Sequence, residues 1–227
     1  VTTKSGFIEI VTDAETIYSI NQKHRFSILN FIMEHNPHLS VEALRERFTR
    51  SCVSYCLLSY LLGIGDRHME NIMIHRSGTI FHVDFGFILG QDPKPLAPEI
   101  RITFEMIDAM GGYTSRHYAQ FKELCAKAFI CIRRHVQVIK HQLITTLPRI
   151  EPSITEAWIE NFIQNRFLEG ENINIAKLHV IHKMSSKSQS YTDAIIDFCH
   201  KPSTTSVVNS LAQGACTAVN SIKGFLF

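Results

Sequence analysis

The spacing of apolar residues predicts one long buried helix in the first third of the chain. Ser40 is suited to cap it, and apolar residues then recur at helical spacing as far as about Leu62. Gly63 and Gly65 end this pattern. The predicted buried positions are Leu44, Phe48, Cys52, Tyr55 and Leu58 or Ser59. We expect this helix to be the strut that fixes the loop after it.

Two short β-branched runs follow the helix and predict a hairpin. Residues 72–74 and 79–83 are separated by Arg76, Ser77 and Gly78, a typical turn signal. A further apolar run at residues 6–11 would be a plain strand on its own pattern.

Helical patterns dominate the remainder of the chain. One helix is predicted from Ser115 or Arg116 to about Ile139, and Ser153 with Glu156 matches a capping box that opens another helix. Residues 207–227 form a weakly amphipathic, helix-like stretch. The predicted fold class is therefore α+β, mostly helical with a small β-hairpin.

Composition narrows the class of protein. The 227 residues are 45% hydrophobic, which suits one domain with a real core. The net charge of +2 gives no bulk electrostatic case for nucleic acid as a partner. The six cysteines show no metal-type Cys-x-x-Cys spacing and are typical of reduced thiols in a cytoplasmic protein. No apolar run approaches the roughly 20 residues of a membrane-spanning helix.

Polar residues with kinase-like spacing lie between the long helix and the hairpin. Asp66 precedes Asn71 by five residues, and Asp84-Phe85-Gly86 follows the second strand-like run. Kinases use an Asp to accept the substrate hydroxyl proton, and an Asn and an Asp to bind Mg²⁺. His68 could also accept the proton or stabilise the transferred phosphoryl group, so Asp66 and His68 both remain catalytic candidates. The structural alternatives are a turn capped by Asp84 and a loop carbonyl bonded by Asn71.

The order of these residues carries a family likeness. Asp66-Arg67-His68 with Asn71, followed by Phe81-His82-Val83-Asp84-Phe85-Gly86, resembles the phosphatidylinositol 3-/4-kinase family, which includes related giant protein kinases. The likeness runs from about residue 6 to about residue 147. It implies the C-terminal lobe of a kinase, with ATP as cosubstrate and Mg²⁺, or alternatively Mn²⁺, held by Asn71 and Asp84.

The resemblance also implies a nucleotide site. Residues 6–11 would be the hinge between lobes, where the backbone of Glu9, Ile10 and Val11 binds the adenine edge. Met73 and Val83 would form an apolar floor beneath the base, with plain core packing as the alternative.

The organisation of the catalytic domain is a separate expectation. No Gly-rich loop or strand-borne Lys precedes the catalytic loop, so we expect residues 1–227 to comprise a hinge and C-lobe that need an N-lobe for activity. A truncated protein that cannot use ATP is the alternative. Residues 203–227 would be the C-terminal amphipathic helix that covers the catalytic loop and touches membrane.

Residues 84–106 resemble the activation loop, which meets the inositol headgroup in the lipid kinases. Its basic residues are Lys94 and Arg101, which we take as substrate-binding. A headgroup already phosphorylated on the ring would need a larger Lys/Arg cluster. The loop therefore favours plain phosphatidylinositol, and residues 91–96 look most like the class III 3-kinases.

The sequence thus predicts an ATP-dependent lipid kinase acting on the inositol ring of phosphatidylinositol, at the 3-hydroxyl. The alternatives are a 4-kinase, which shares the Met110-Gly111-Gly112 ending, a related protein kinase, and a non-catalytic nucleotide-binding or scaffold module. Phosphatidylinositol in a membrane surface is the expected partner, and a regulatory subunit is compatible with the family. The expected location is cytoplasmic, peripheral on endomembranes.

Overall fold

The computed structural model describes residues 5–24, 27–94 and 97–185. Within these ranges the chain is mostly helical, with a small antiparallel sheet. The elements in chain order are β1 (Ala14–Thr16), α1 (Ile17–Lys23), α2 (Ile28–His35), α3 (Val41–Leu62), β2 (Ile72–His75), β3 (Ile80–His82), α4 (Phe104–Ala109), α5 (Arg116–Arg133), α6 (Val136–Ile150), α7 (Glu156–Phe167) and α8 (Ile173–Lys183).

The long helix α3 is confirmed at both of its predicted ends. Ser40 accepts a hydrogen bond from the Ala43 N–H, and the chain leaves the helix at Gly63 with a left-handed φ of 55°. Its buried face includes Leu44, Phe48 and Cys52, and it packs against α5 and β3. Because α3 lies in the middle of the core, the loop that follows Gly63 starts from a rigid support.

The predicted hairpin is confirmed, and a third strand extends it. The sheet order is β1-β2-β3, and Met73 lies opposite Thr16 on one side and Phe81 on the other. The run at residues 6–11 is not a strand, and the first strand, β1, begins at Ala14. Its apolar side chains are exposed, with Phe7 94% accessible, and they are therefore not buried against this sheet.

The predicted helix from residue 115 to 139 is two helices. α5 ends at Arg133, and α6 begins at Val136 after a turn. The Arg133 guanidinium donates to the backbone carbonyls of Leu168 and Glu171, each at 2.6 Å. These bonds attach the end of α5 to the segment between α7 and α8. The helical spacing of apolar residues gives no sign of them.

The start of α7 also differs from the predicted capping box. Thr155 is the N-cap and accepts from the Trp158 N–H at 3.2 Å, while Ser153 bonds the Glu151 carboxylate. The helix ends at Phe167.

The remaining sequence expectations concern thiols and the membrane. Cys52, Cys56 and Cys125 are buried free thiols, whereas Cys131 is exposed. Among the residues described, no helix is long and apolar enough to cross a bilayer. The predicted helix at 203–227 lies outside the described residues.

Candidate active site

Arg67 joins the two loops that carry the predicted chemistry. We call residues 63–71 the catalytic loop and residues 83–86 the metal loop. Arg67 is buried and donates from Nε to the Gly65 carbonyl at 2.8 Å and from Nη1 to the Val83 carbonyl at 2.7 Å. Its Nη2 donates to the Asp84 carbonyl. Arg67 therefore ties the two loops together through bonds to backbone carbonyls.

The electrostatics at Arg67 are balanced by neighbouring acids. Burial lowers the pKa of its guanidinium, and Asp66, Asp84 and Asp92 oppose that shift. A buried cation surrounded by acids and carbonyls holds the loops at a fixed separation, because removing it would leave those acceptors unpaired.

Asn71 and Asp84 lie on adjoining backbone segments at the ends of the hairpin. The Val83 N–H donates to the Asn71 carbonyl at 3.1 Å, and the Asn71 Nδ2 donates to the Asp66 carbonyl at 3.0 Å. Asp84 is exposed, and its Oδ1 accepts from the Gly86 N–H at 3.2 Å. Both structural roles considered for these residues are therefore present, and each uses part of the side chain.

The same two side chains fit a magnesium ion. With Nδ2 of Asn71 engaged, its Oδ1 is the amide atom that can ligate, and Asp84 offers a carboxylate to solvent. The described part of the chain holds no cluster of three His, Cys, Asp or Glu suited to a metal. Mg²⁺ does not require one, because it commonly binds one or two protein oxygens and takes its other ligands from water and phosphates.

Asp66 and His68 lie close together in the catalytic loop. Asp66 has a left-handed φ of 54°, and the His68 Nε2 is 3.9 Å from its Oδ2. The Glu70 N–H donates to the His68 Nδ1 at 3.3 Å. A neutral ring that accepts at Nδ1 carries its proton on Nε2, so His68 is arranged as a donor at the nitrogen nearest Asp66.

The two basic residues of the predicted activation loop have different positions. The Lys94 Nζ is 2.5 Å from the Asp66 Oδ1, so Lys94 lies beside the catalytic loop. Arg101 is 3% exposed, and its Nη1 donates to the Arg67 carbonyl at 3.0 Å. Arg101 nevertheless lines one pocket together with Asp66, Asp92 and Lys94, so its contact with a headgroup stays a prediction.

Comparison with known proteins identifies the family. The family model described as "Phosphatidylinositol 3- and 4-kinase" matches residues 1–153. The chain belongs to this family. Phosphatidylinositol 3-kinases of Schizosaccharomyces pombe and Glycine max (the nodule isoform) are both 37% identical to it, over 142 and 139 residues. Each match covers 59% of this chain, and 18% and 17% of those relatives.

A longer match extends beyond the family model. Phosphatidylinositol 3-kinase VPS34 of Saccharomyces cerevisiae is 32% identical over 206 residues, which is 87% of this chain and 23% of that protein. The chain therefore spans between about a sixth and a quarter of the length of these curated relatives.

The predicted nucleotide residues of this kinase-family chain are partly brought together. Met73 lies on the less buried face of β2, and Val83 continues the corresponding face beyond β3. Glu9, Ile10 and Val11 lie in the exposed segment before β1, with Ile10 82% accessible. Their contact with adenine remains a prediction.

Asp92 had little signal in the sequence. It accepts a hydrogen bond from the catalytic loop, although Asp-Pro alone indicates only a turn. His82, just before the metal loop, lies against α3, and its Nδ1 is 3.1 Å from the Ser59 Oγ. Burial, with a smaller effect of Arg67, lowers the pKa of His82 to about 3 and keeps the ring neutral.

Proposed function

We propose that the protein phosphorylates the inositol ring of phosphatidylinositol at the 3-hydroxyl, using ATP and Mg²⁺. The observation that carries the proposal is the set of Arg67 hydrogen bonds, which join the catalytic loop to the metal loop and so keep Asp66 and Asp84 near each other. The name phosphatidylinositol 3-kinase, borne by relatives in Schizosaccharomyces pombe and Saccharomyces cerevisiae, supports the choice of substrate and hydroxyl.

Asp66 is the acceptor of the proton that leaves the inositol hydroxyl. Its Oδ1 lies 2.5 Å from the Lys94 Nζ, and a carboxylate aligned with the attacking oxygen orients the nucleophile in kinases. His68 takes the complementary role, because Nε2–H donates to the phosphoryl oxygens on which negative charge accumulates.

Asn71 Oδ1 and the Asp84 carboxylate would hold the metal ion. When bound, Mg²⁺ would supply positive charge that neutralises the phosphates of ATP during transfer. Both residues adjoin backbone that is hydrogen-bonded between the hairpin and the catalytic loop.

Lys94 selects the lipid headgroup. Phosphatidylinositol carries a single phosphodiester charge, which one ammonium group can pair. Lys94 is 17% exposed at its side chain, so a headgroup entering beside Asp66 would meet it. The substrate lies in a bilayer, and we accordingly propose that the protein works at endomembrane surfaces from the cytoplasm, with residues 203–227 contributing contact.

The test is phosphate transfer by the full-length gene product from labelled ATP to phosphatidylinositol vesicles. Asp84→Asn should lower the rate by at least about 10²-fold, since it removes a charged metal ligand. Asp108→Asn on the exposed side of α4 is the matched control and should retain the rate.

The phosphorylated position separates the alternatives. Product bearing a 3-phosphate supports the proposal, whereas a 4-phosphate would identify a 4-kinase. Transfer to a protein substrate alone would favour the related protein kinases, and nucleotide binding without either transfer would favour a scaffold.

A further inference from the structure

Asp92 connects the activation loop to the catalytic loop through both oxygens of its carboxylate. Oδ2 accepts from the Asp66 N–H at 2.7 Å, and Oδ1 accepts from the Lys94 N–H at 2.8 Å. The Lys94 side chain then returns to the Asp66 carboxylate at 2.5 Å. The three residues therefore form a closed ring of hydrogen bonds, which we call the Asp92 clamp.

Local turn formation explains only half of the clamp. An Asp commonly accepts from the N–H two residues later, so the bond to Lys94 is an ordinary Asx turn. The bond to Asp66 spans 26 residues and enters the catalytic loop. It directs one carboxylate oxygen at the backbone of Asp66, whose φ of 54° is left-handed.

Backbone hydrogen bonds also join the two loops next to the clamp. The Gly65 N–H donates to the Phe87 carbonyl at 2.9 Å, and the Gly90 N–H donates to the Gly63 carbonyl at 2.8 Å. The Leu89 N–H likewise donates to the Leu62 carbonyl at the end of α3. Asp92 thus lies where a segment docked on the catalytic loop turns toward Lys94.

We propose that Asp92 is a positioning residue that fixes the Asp66 carboxylate and the Lys94 ammonium relative to each other. This inference rests on the proposed function, in which Asp66 receives the hydroxyl proton and Lys94 meets the lipid phosphodiester. Fixing their separation fixes where the inositol hydroxyl lies when the phosphodiester is bound. Asp92 acts through these two groups and need not touch the lipid.

Asp92→Asn is the informative substitution. Both oxygens accept backbone N–H groups, whereas an amide has one oxygen and one NH₂. Whichever way the amide is turned, one backbone N–H faces another donor. The side-chain size is retained, which matters because Asp92 packs tightly against Gly65.

The expected kinetic result is a selective loss of lipid phosphorylation. In the full-length protein, Asp92→Asn should lower kcat on phosphatidylinositol vesicles by about 10-fold or more, because displacement of aligned groups by about 1 Å can cost 10²-fold. The KM for ATP should stay near that of wild type, and the melting temperature should fall by only the few degrees that the loss of one hydrogen bond to a charged group costs. Asp108→Asn is the matched control for a lost carboxylate on an exposed helix.

A double-mutant cycle with Lys94→Ala tests the mechanism of the effect. If Asp92 acts through Lys94 and Asp66, adding Asp92→Asn to Lys94→Ala should cost much less than it costs in wild type. Full multiplication of the two losses, or a fall in basal ATP hydrolysis parallel to the loss of lipid phosphorylation, would show a general structural role and overturn the proposal. An unchanged kcat would do so directly.

Amide hydrogen exchange tests the clamp without any lipid. Asp92→Asn should accelerate exchange at the Asp66 and Lys94 amides and leave the core of α3 unchanged. If wild type fails to phosphorylate phosphatidylinositol, the proposed function fails while this measurement still judges the clamp. Unchanged exchange at both amides would refute the clamp even in an active kinase.

Discussion

Replacing Gly65 with alanine should separate the activation loop from the catalytic loop. A Cβ built on Gly65 would lie 2.2 Å from the Gln91 carbonyl oxygen and 2.9 Å from the Asp92 Oδ2. The nearest atom belongs to backbone, so rotation of a side chain cannot relieve the overlap. Ordinary contact begins at 3.4 Å, and the two segments must therefore part by roughly 1 Å.

The consequence should appear mainly in catalysis. Movement of Gln91 and Asp92 stretches the 2.7 Å bond from the Asp66 N–H and disturbs the proton acceptor. We expect kcat on phosphatidylinositol to fall about 100-fold, the usual cost of a misplacement of this size. Weakening one hydrogen bond to a charged group should lower the free energy of unfolding by about 1.5–3 kcal/mol.

The assay is the initial rate of labelled phosphate transfer, with the free energy of unfolding measured by denaturant on the same preparations. Asp108→Asn is the control, since this exposed residue of α4 lies outside both loops. A Gly65→Ala protein that keeps wild-type kcat and stability would refute the reasoning, because it would mean that the close approach of the two loops does not position Asp66.

Three other predictions concern buried groups. Arg101→Met should lower stability by about 1.5–3 kcal/mol in denaturant unfolding through loss of its bond to the Arg67 carbonyl, whereas direct headgroup contact would instead raise the KM for lipid with stability unchanged. His82 is neutral in the folded protein because burial lowers its pKa to about 3, whereas the unfolded chain binds a proton below about pH 6.5. The free energy of unfolding should therefore decrease as the pH is lowered from roughly 6 to 3, by up to about 1.4 kcal/mol per pH unit. The difference between wild type and His82→Asn in urea titrations at each pH should isolate the contribution of this histidine. Among the described cysteines, exposed Cys131 should react with a thiol reagent under native conditions. Cys125 is buried, which raises its pKa, and should react only after unfolding. Peptide mapping distinguishes the two labelled sites, and equal labelling would contradict the packing.

The parts of the fold that follow from local chemistry were predictable. Ser40 and Gly63 bound α3 because a side-chain acceptor and a residue tolerant of positive φ are local requirements. The hairpin after it followed from two β-branched runs around a turn. The likeness of the loop residues gave the family, which the match over residues 1–153 confirms.

Features set by distant contacts were not predictable. Apolar residues keep helical spacing throughout residues 115–139, so the pattern does not show where α5 ends. The bonds that Arg133 makes at this end reach carbonyls more than 30 residues away, and local spacing cannot reveal them. Strand β1 is only three residues long and owes its pairing to β2. Burial of Arg101 beneath the catalytic loop likewise depends on tertiary position, and its charge in the sequence gave no sign of it.

The geometry of the candidate site depends on contacts of this second kind. Asp66 and Asp84 both have left-handed φ values, 54° and 56°, which L-residues rarely adopt and which cost free energy even for Asp. Such conformations persist only where surrounding contacts outweigh that cost. Arg67 provides them at Asp84 through the carbonyl of that residue, and Asp92 provides them at Asp66 through its N–H. The sequence therefore identifies the reactive side chains, while a buried cation and a distant carboxylate determine where those side chains point.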